Sequence, residues 1–428
     1  MDLGKMNHKK YQAYKDSGVD WLGEIPKNWE VLPGLSFLFE NKEKNKGMKR
    51  DTVLSLSYGK IRVKAEEELT GLVPESFETY QLVNKGDIIF RPTDLQNDKV
   101  SLRSGIANDE GIITSAYLNL RLKPKADTNF YSYLFRAIDN NKVIYGLGSG
   151  LRQNIDYRDF RRFAFPFPPK KEQTAIANFL DEKITKIDKA IAQKEKLIEL
   201  LKERKQIIIQ KAVTKGLDRS MKLKDSGVDW IGEIPEHWKV LYNRRLFREK
   251  GRPITNPDEL PLSLSQIDGV IPSESMKERS LSPAHRKNFK LCYPGDLIVN
   301  RFKGHLGVFF ESNYRGIVTF HYGVFEPEKD INTKYYELLY HTEIYKTVYA
   351  GASNGMTIGL QNLSNQNFYD VKSIVPPKKE QDEIVSFCTN VESETQKVIN
   401  SQHAQIEKLK EYKATLIDSA VTGKIKVC

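Results

Sequence analysis

Two periodicities divide the chain. After Pro168-Pro169 neither proline nor glycine occurs until Gly216, and residues recur at alternating steps of four and three: Leu180, Ile184, Ile187, Ile191, Lys194, Ile198, Leu201, Lys205, Ile208 and Ala212. That spacing predicts one helix of about 40 residues, about 60 Å long at the 1.5 Å rise of an α-helix, with a coiled-coil seam. Adding 208 to each number gives a second, weaker ladder: Cys388, Glu392, Thr395, Ile399, Gln402, Ile406, Leu409, Lys413, Leu416 and Ala420. The two helices are each other's natural partners. Antiparallel packing is expected, because it puts one globular part at each end of a rigid spacer. Polar seam residues (Lys194 with Gln402, Lys205 with Lys413) either fix the register or snorkel out of a solvated seam.

Elsewhere the period is two. VLSLS from Val53, YQLV from Tyr80, DIIF from Asp87 and YLNLRL from Tyr117 are short apolar or alternating runs broken by Gly, Pro and Asn, which predicts mostly antiparallel strands. FYSYLFRAI from Phe130 reads as a helix. The pattern returns downstream as PLSLS from Pro261, FKLCY from Phe289, DLIVNRF from Asp296 and the helical YYELLYHTEIY from Tyr335. Two mixed α/β (α+β) domains alternating with two long helices are therefore expected.

The chain is a tandem repeat. KDSGVDWLGEIPKNWEVL from Lys15 and KDSGVDWIGEIPEHWKVL from Lys224 agree at 14 of 18 positions, 209 residues apart. Gly86-Asp87-Ile88 matches Gly295-Asp296-Leu297 at the same offset, GIITSAY from Gly111 matches GIVTFHY from Gly316, and PPKKEQ at Pro168 and AVT at Ala212 recur 208 residues later. Similarity is concentrated at the start of each unit and in its helix, while the middles have diverged. Duplicated scaffolds with different middles suit binding of different things at equivalent positions.

Composition narrows the partners. Lys and Arg outnumber Asp and Glu by 67 to 56, a formal charge of +11, which permits a polyanion but does not require one. No apolar run reaches membrane-spanning length and the N-terminal segment lacks a signal-like core, so a cytoplasmic location is expected and no membrane partner. Cys292, Cys388 and Cys428 are scattered, and the seven histidines do not cluster, so no metal site is expected.

The strand GDIIF runs straight into Arg91-Pro-Thr93-Asp-Leu-Gln96-Asn97-Asp-Lys99, with Arg103 just beyond; its counterpart runs into Asn300-Arg301-Phe-Lys303-Gly-His305. Arginine can span guanine O6 and N7, Asn and Gln can do the same for adenine, and lysine can neutralise phosphate. Both loops are thus candidate DNA-contact surfaces. Taken singly, each of these residues is better explained as part of a solvated basic loop; it is the loop as a whole that reads as a contact surface. A second candidate surface precedes each long helix, GLGSGLRQN from Gly146 with Arg152 and Gln153, and NGMTIGLQN from Asn354 with Thr357 and Gln361. Tyr117, His321 and Tyr322, at the ends of the GIITSAY and GIVTFHY segments, complete the set expected to contact DNA. No phosphate-binding GxxxxGK[ST] loop is present, and both Pro-Pro pairs are followed by Lys-Lys rather than by the aromatic residue an amino-methyltransferase needs, so catalysis is not expected of this chain.

These motifs together resemble the specificity (S) subunits of Type I restriction-modification systems along essentially the whole chain: the SGVDWLGEIP and SGVDWIGEIP segments, the GDIIF and GDLIVNR strands, the QN pairs at Gln153 and Gln361, PPKKEQ twice and the AVT helix ends. The resemblance implies target-recognition domains at 1–168 and 216–376, conserved helices at 169–215 and 377–428, and a double-stranded, bipartite DNA target. It further implies two docked modification (methyltransferase) subunits and, in the full complex, restriction subunits. S-adenosylmethionine, ATP and Mg would act on those partners, with no cofactor here. One departure stands out: the family commonly carries an arginine six residues after the strand glycine, as Arg301 follows Gly295, whereas Arg91 follows Gly86 by five. Equivalence of the two arginines is therefore in doubt. The alternative function is a coiled-coil protein scaffold that never reads DNA.

Overall fold

The computed structural model describes residues 9–65, 67, 76–93, 95, 102–146, 154–252, 258–276, 289–353 and 362–427. By contact density the chain forms two compact units, Met1–Lys194 with His403–Cys428, and Glu195–Gln402. The sequence-drawn boundaries set the long helices apart as segments of their own; each compact unit instead takes the front of one helix and the back of the other.

Both units have the same topology. In the first, a four-stranded antiparallel sheet is ordered Leu38–Glu40, Leu118–Leu122, Ile88–Phe90, Ser104–Ile106; in the second the order is Phe247–Glu249, Tyr322–Pro327, Leu297–Asn300, Phe309–Glu311. The strand Ile88–Phe90 is apolar throughout because both its faces are covered. Ile88 and Phe90 enter the main core with Phe130, Leu134 and Leu180, whereas Ile89 faces a smaller core of Leu54, Ile61, Val83 and Ile113. Leu297 and Val299 against Ile298 repeat that division. A hairpin (Leu54–Ser57 with Lys60–Val63, or Leu262–Ser265 with Gly269–Pro272) covers the outer face. The predicted strands and the helix Thr128–Asn140 are all present, but YYELLYHTEIY forms two helices, Thr333–Tyr340 and Glu343–Ala352, broken at His341-Thr342.

The long helices run Lys170–Lys215 and Lys378–Val421. Each starts directly after Pro-Pro and stops at a glycine of positive φ, Gly216 (+78°) or Gly423 (+77°), where a side chain would be strained. Of the predicted seam, Leu180, Ile184, Ile187, Ile198, Ala212, Cys388, Ile399, Ile406, Leu416 and Ala420 are buried, and Ile191, Lys194, Leu201, Lys205, Ile208, Glu392, Thr395, Gln402, Leu409 and Lys413 are half-buried. Ile209, not Ile208, is the buried member of its turn.

Within the first unit, Lys413 Nζ lies 2.6 Å from Asp188 Oδ1 and Lys194 Nζ donates to Gln405 Oε1 at 2.6 Å. The two contacts run in opposite directions along the two helices. Both lysines thus reach a polar group of the facing helix within this unit.

The recurring N-terminal motif holds the helix ends. Trp29 and Trp238 are fully buried. Trp29 sits against Gly423 and Trp238 against Gly216. At the other helix's first turn, Glu172 accepts from Tyr11 Oη and from Asn28 Nδ2 (3.1 Å), and Glu380 accepts from Trp238 Nε1 (2.9 Å) and meets His237 Nε2 at 2.6 Å. The glutamine of PPKKEQ is as deeply set. Gln173 Oε1 accepts the Asp127 N–H (2.7 Å) while its Nε2 donates to the Pro168 carbonyl (2.8 Å); Gln381 does the same with Asn332 and Pro376. It ties the N-cap of the domain helix to the start of the long helix. We expect Gln173→Leu, of similar volume, to orphan both backbone groups and destabilise the first unit by on the order of 3 kcal/mol, read as an earlier urea transition in that unit with the second unit's transition unmoved.

Candidate nucleic-acid interface

The candidate surface begins at a turn that only glycine fills easily. Gly86 and Gly295 have φ of +91° and +90°, and each precedes a buried aspartate. Asp87 accepts from Arg121 Nε (2.8 Å) and Nη2 (3.1 Å) and from the Asn84 N–H (2.8 Å). Asp296 binds Arg252 and accepts from the Tyr293 N–H (2.8 Å). Burial pushes the Asp296 carboxyl up while the Arg252 guanidinium opposes it. The pair fixes the strand that delivers each loop.

Register shows which loop residues correspond. Phe90 pairs with Ser104 as Val299 pairs with Phe309, so Arg91 stands where Asn300 does. The Ile155 N–H donates to the Pro92 carbonyl (3.1 Å), and the Leu363 N–H to the Arg301 carbonyl (2.9 Å). Pro92 and Arg301 are therefore counterparts, and Arg91 and Arg301 are not. These same bonds bring the two candidate surfaces together, since Ile155 and Leu363 lie just after the glycine-rich segments. Of those segments and the first loop, Gln96, Asn97, Lys99, Arg152, Gln153, Thr357 and Gln361 lie outside the described residues.

In the first unit Arg103 requires a correction. It is 0% exposed. Its Nη1 donates to the Thr93 carbonyl (2.6 Å), its Nε donates to Tyr145 Oη (3.1 Å), and its backbone N–H donates to Asp139 Oδ2 (2.9 Å). Five planar donors suit a guanidinium to collecting carbonyls, and here they brace the loop from beneath rather than meet DNA. Arg91 and Thr93 are half-buried at the loop's root, the Arg91 N–H bonded to the Arg103 carbonyl at 2.8 Å. Tyr117 packs on the small core beneath the sheet, and its carbonyl accepts from Gln81 Nε2 (2.7 Å), so it supports the turn before it.

In the second unit the loop is a short 3-10 segment, Arg301–Leu306, ended by Gly307 in the left-handed region. Arg301 is not idle: Nη2 donates to Glu249 Oε1 (2.7 Å) and Asn365 Oδ1 (2.6 Å), and its side chain is 22% exposed. Lys290 meets the same Glu249 carboxylate at 3.0 Å. Lys303 is exposed, and His305 is half-buried with an enclosed Nδ1. The exposed His321 ring lies between Phe302 (5.2 Å) and Phe320 (3.8 Å), both of them exposed. Tyr322 pairs with Asn300 across the sheet.

Phe302 and Phe320 are the contributors that sequence reading missed. The signal was present in the offset comparison. Thr114–Tyr117 and Thr319–Tyr322 are the same turn with the same sequence of half-buried, exposed, exposed and half-buried positions, and they expose Ser115-Ala116 in one unit and Phe320-His321 in the other. Among the described residues no group of three or more His, Cys, Asp or Glu is placed to hold a metal, and no helix is long and apolar enough to cross a membrane.

Known proteins match this arrangement. A family model described as the Type I restriction modification DNA specificity domain matches residues 34–202 and 269–408. The type I restriction enzyme MjaVIII specificity subunit of Methanocaldococcus jannaschii is 27% identical over 249 residues, 54% of this chain and 52% of that protein. The chain spans somewhat over half the length of the curated relatives it matches. Among solved structures, a chain from work on complex assembly and conformational transition of the type I R-M system aligns with TM-score 0.64 and 13% identity over 93% of this chain and 98% of its own. The HsdS subunit from Thermoanaerobacter tengcongensis aligns with TM-score 0.53 and 13% identity over 94% and 98%. At such identities the two structures speak for the fold.

The Arg103 brace yields a prediction. Arg103→Met should strip the Thr93 carbonyl and the Tyr145 hydroxyl of their donor and destabilise the first unit by on the order of 1–3 kcal/mol, read as an earlier urea transition in that unit with the second unit's transition unmoved; an unmoved first transition would mean the brace is dispensable.

Proposed function

Since the chain belongs to the Type I restriction-modification DNA specificity family, we propose that it reads a bipartite double-stranded target, one half with each unit, on behalf of modification subunits that supply the chemistry. One observation carries this reading. The same strand, turn and loop are built twice from the same backbone bonds, yet they present different groups: Ser115-Ala116 in one unit, Phe320-His321 in the other, with a buried Pro92 at the position of the half-buried Arg301. A scaffold for protein assembly has no need for duplicated frames that present different side chains. A two-part reader does.

In this reading the long helices pair along their seams as an antiparallel coiled coil. The pair spaces the two half-sites and offers the surface on which two modification subunits, and restriction subunits in a full complex, dock. S-adenosylmethionine, ATP and Mg belong to those subunits; this chain contributes the address. Arg301 would leave its Glu249 and Asn365 partners, or share its remaining donors, to reach a guanine edge. Its loss leaves Glu249 still paired with Lys290, so Arg301→Ala is a test of reading more than of folding.

The direct test is genome-wide mapping of methylated positions with and without the gene. A two-part motif that disappears on deletion supports the proposal, and an unchanged methylome refutes it. On that mapped motif, Arg301→Ala should relax one half-site by about 1–3 kcal/mol of discrimination and leave the other untouched; uniform weakening on every sequence would make the residue a phosphate contact. Removing seven residues from each helix at matching seam positions should shorten the unspecified spacer with both half-sites preserved, and an unaltered spacer would overturn the spacing role.

A further inference from the structure

Each unit carries a large apolar side chain at the tip of its covering hairpin, Tyr58 in the first and Ile267 in the second, and each is 89% exposed. Nothing in the core needs them there. The hairpins are otherwise economical: Leu54 and Ile61, or Leu262 and Val270, point into the small cores beneath the sheet. Leaving so much apolar surface in water forgoes the stabilisation that burial would give.

Tyr58 also sits against backbone preference. Ser57 pairs with Lys60, so Tyr58 and Gly59 form a two-residue turn, with φ of +48° and +71°. Such a turn favours Asn-Gly, and a tyrosine at its first position is held in a region that side chains rarely adopt. In the second unit Ser265 pairs with Gly269, and Ser265 Oγ accepts from the Ile267 and Asp268 N–H groups at 3.2 and 3.1 Å. Two different turns thus raise one apolar side chain each.

Both tips are anchored to the return strand of the candidate reading loop. Gly59 lies flush on Leu102 and on Gly105, so closely that a Cβ on Gly59 would stand 2.9 Å from that of Leu102; the Gly59 carbonyl also accepts from Arg136 Nη2 at 3.4 Å. In the second unit Gly269 lies on the ring of Phe310, at the register position of Gly105. Each tip is thus packed on that strand. Exposed cations stand on the first hairpin, Lys60 and Arg62, whereas the second tip carries Asp268 next to Ile267.

We propose that Tyr58 and Ile267 are wedge residues that press an apolar tip onto a base step of the half-site each unit reads, while Lys60 and Arg62 beside the first tip meet phosphate. An exposed apolar side chain at the tip of a hairpin has the chemistry of a group that partly unstacks a base step, with an aromatic tip also able to stack on a base. This rests on the DNA-reading proposal. It adds a contact outside the loops and a reason for tyrosine in a turn that prefers asparagine.

The preference of the turn supplies a variant that folds. Tyr58→Asn removes the ring and relaxes the backbone, so its melting temperature should equal or exceed that of the parent. The assay uses the full chain with its modification subunits, a duplex carrying the mapped site, and a second duplex with both half-sites scrambled. Tyr58→Asn should weaken binding to the site by about tenfold, Tyr58→Phe should restore most of it, and Ile267→Asn should act on the other half-site. A 2-aminopurine placed successively through the half-site should brighten at one step with the parent and stay quenched with Tyr58→Asn. Unchanged affinity and fluorescence with Tyr58→Asn, while the parent still distinguishes site from scrambled duplex, would overturn the wedge and leave the reading proposal standing. Loss of co-purification with the modification subunits at unchanged melting temperature would also overturn it, making the tip a protein contact. A parent complex that fails to distinguish the two duplexes would bring down the reading proposal and the wedge with it.

Discussion

The architecture of each unit depends on a tryptophan that cannot leave. Trp29 and Trp238 are wholly enclosed, each against the glycine that ends one long helix, and the segments carrying them bind the first-turn glutamate of the other. An indole buries more apolar area than any other side chain, and glycine is the residue that lets it approach a helix end so closely. The repeated SGVDW–EIP–W motif is thus a clasp on two helix termini at once. Because the domain sheet, the glutamine of PPKKEQ and the helix seam all meet at this point, a small shift there would misplace every loop further out. This explains why sequence similarity is retained at the motif and in the helices.

Constancy beneath and variation above is the structural theme of the candidate interface. The strand, its glycine of positive φ, its aspartate–arginine pair and the backbone bond from Ile155 or Leu363 recur unit for unit. Even the partner of the aspartate is interchangeable in position, Arg121 coming from the sheet's second strand and Arg252 from the segment after the edge strand. What differs includes the exposed side chains of the turn, Ser115-Ala116 against Phe320-His321, and positions on the strand behind them, Ser104-Gly105 against Phe309-Phe310. Such a frame tolerates substitution at its tips, because the energetics that hold it are spent on groups below.

Much of this was legible in the sequence, for definite reasons. A heptad ladder uninterrupted by Pro or Gly leaves few alternatives to a long helix, and the buried face follows that ladder except at Ile208, where Ile209 is the buried residue. Strands such as Ile88–Phe90 were recognisable by their continuous apolar run. The break at His341-Thr342 was not, since no proline or glycine marks it; Thr342 instead turns its hydroxyl onto the Leu339 carbonyl (2.7 Å) at the end of the first helix. Arg103 was misread because a basic residue after a basic loop looks like a surface cation, and only the carbonyls of Thr93 and Arg91 around it reveal a brace. Phe302 and Phe320 were passed over because apolar residues near strands suggest core. Their exposure is set by a turn whose geometry the alignment alone could have compared but not oriented.

One further consequence lies in the way the first unit is closed. Its sheet and first helix come from residues up to 194, but Leu416, Ile417, Ala420 and Val421 complete its core, and the Lys426 N–H donates to the Lys9 carbonyl at 2.7 Å. The second unit is a single continuous stretch. During synthesis the portion that leaves the ribosome first must therefore wait, with an apolar groove open, until more than two hundred further residues have emerged, while the later portion can finish on its own. Order of birth and order of completion are inverted. A chain cut short after Gln402 but before Leu416 would carry one finished unit and one exposed core, the kind of surface that quality-control proteases remove.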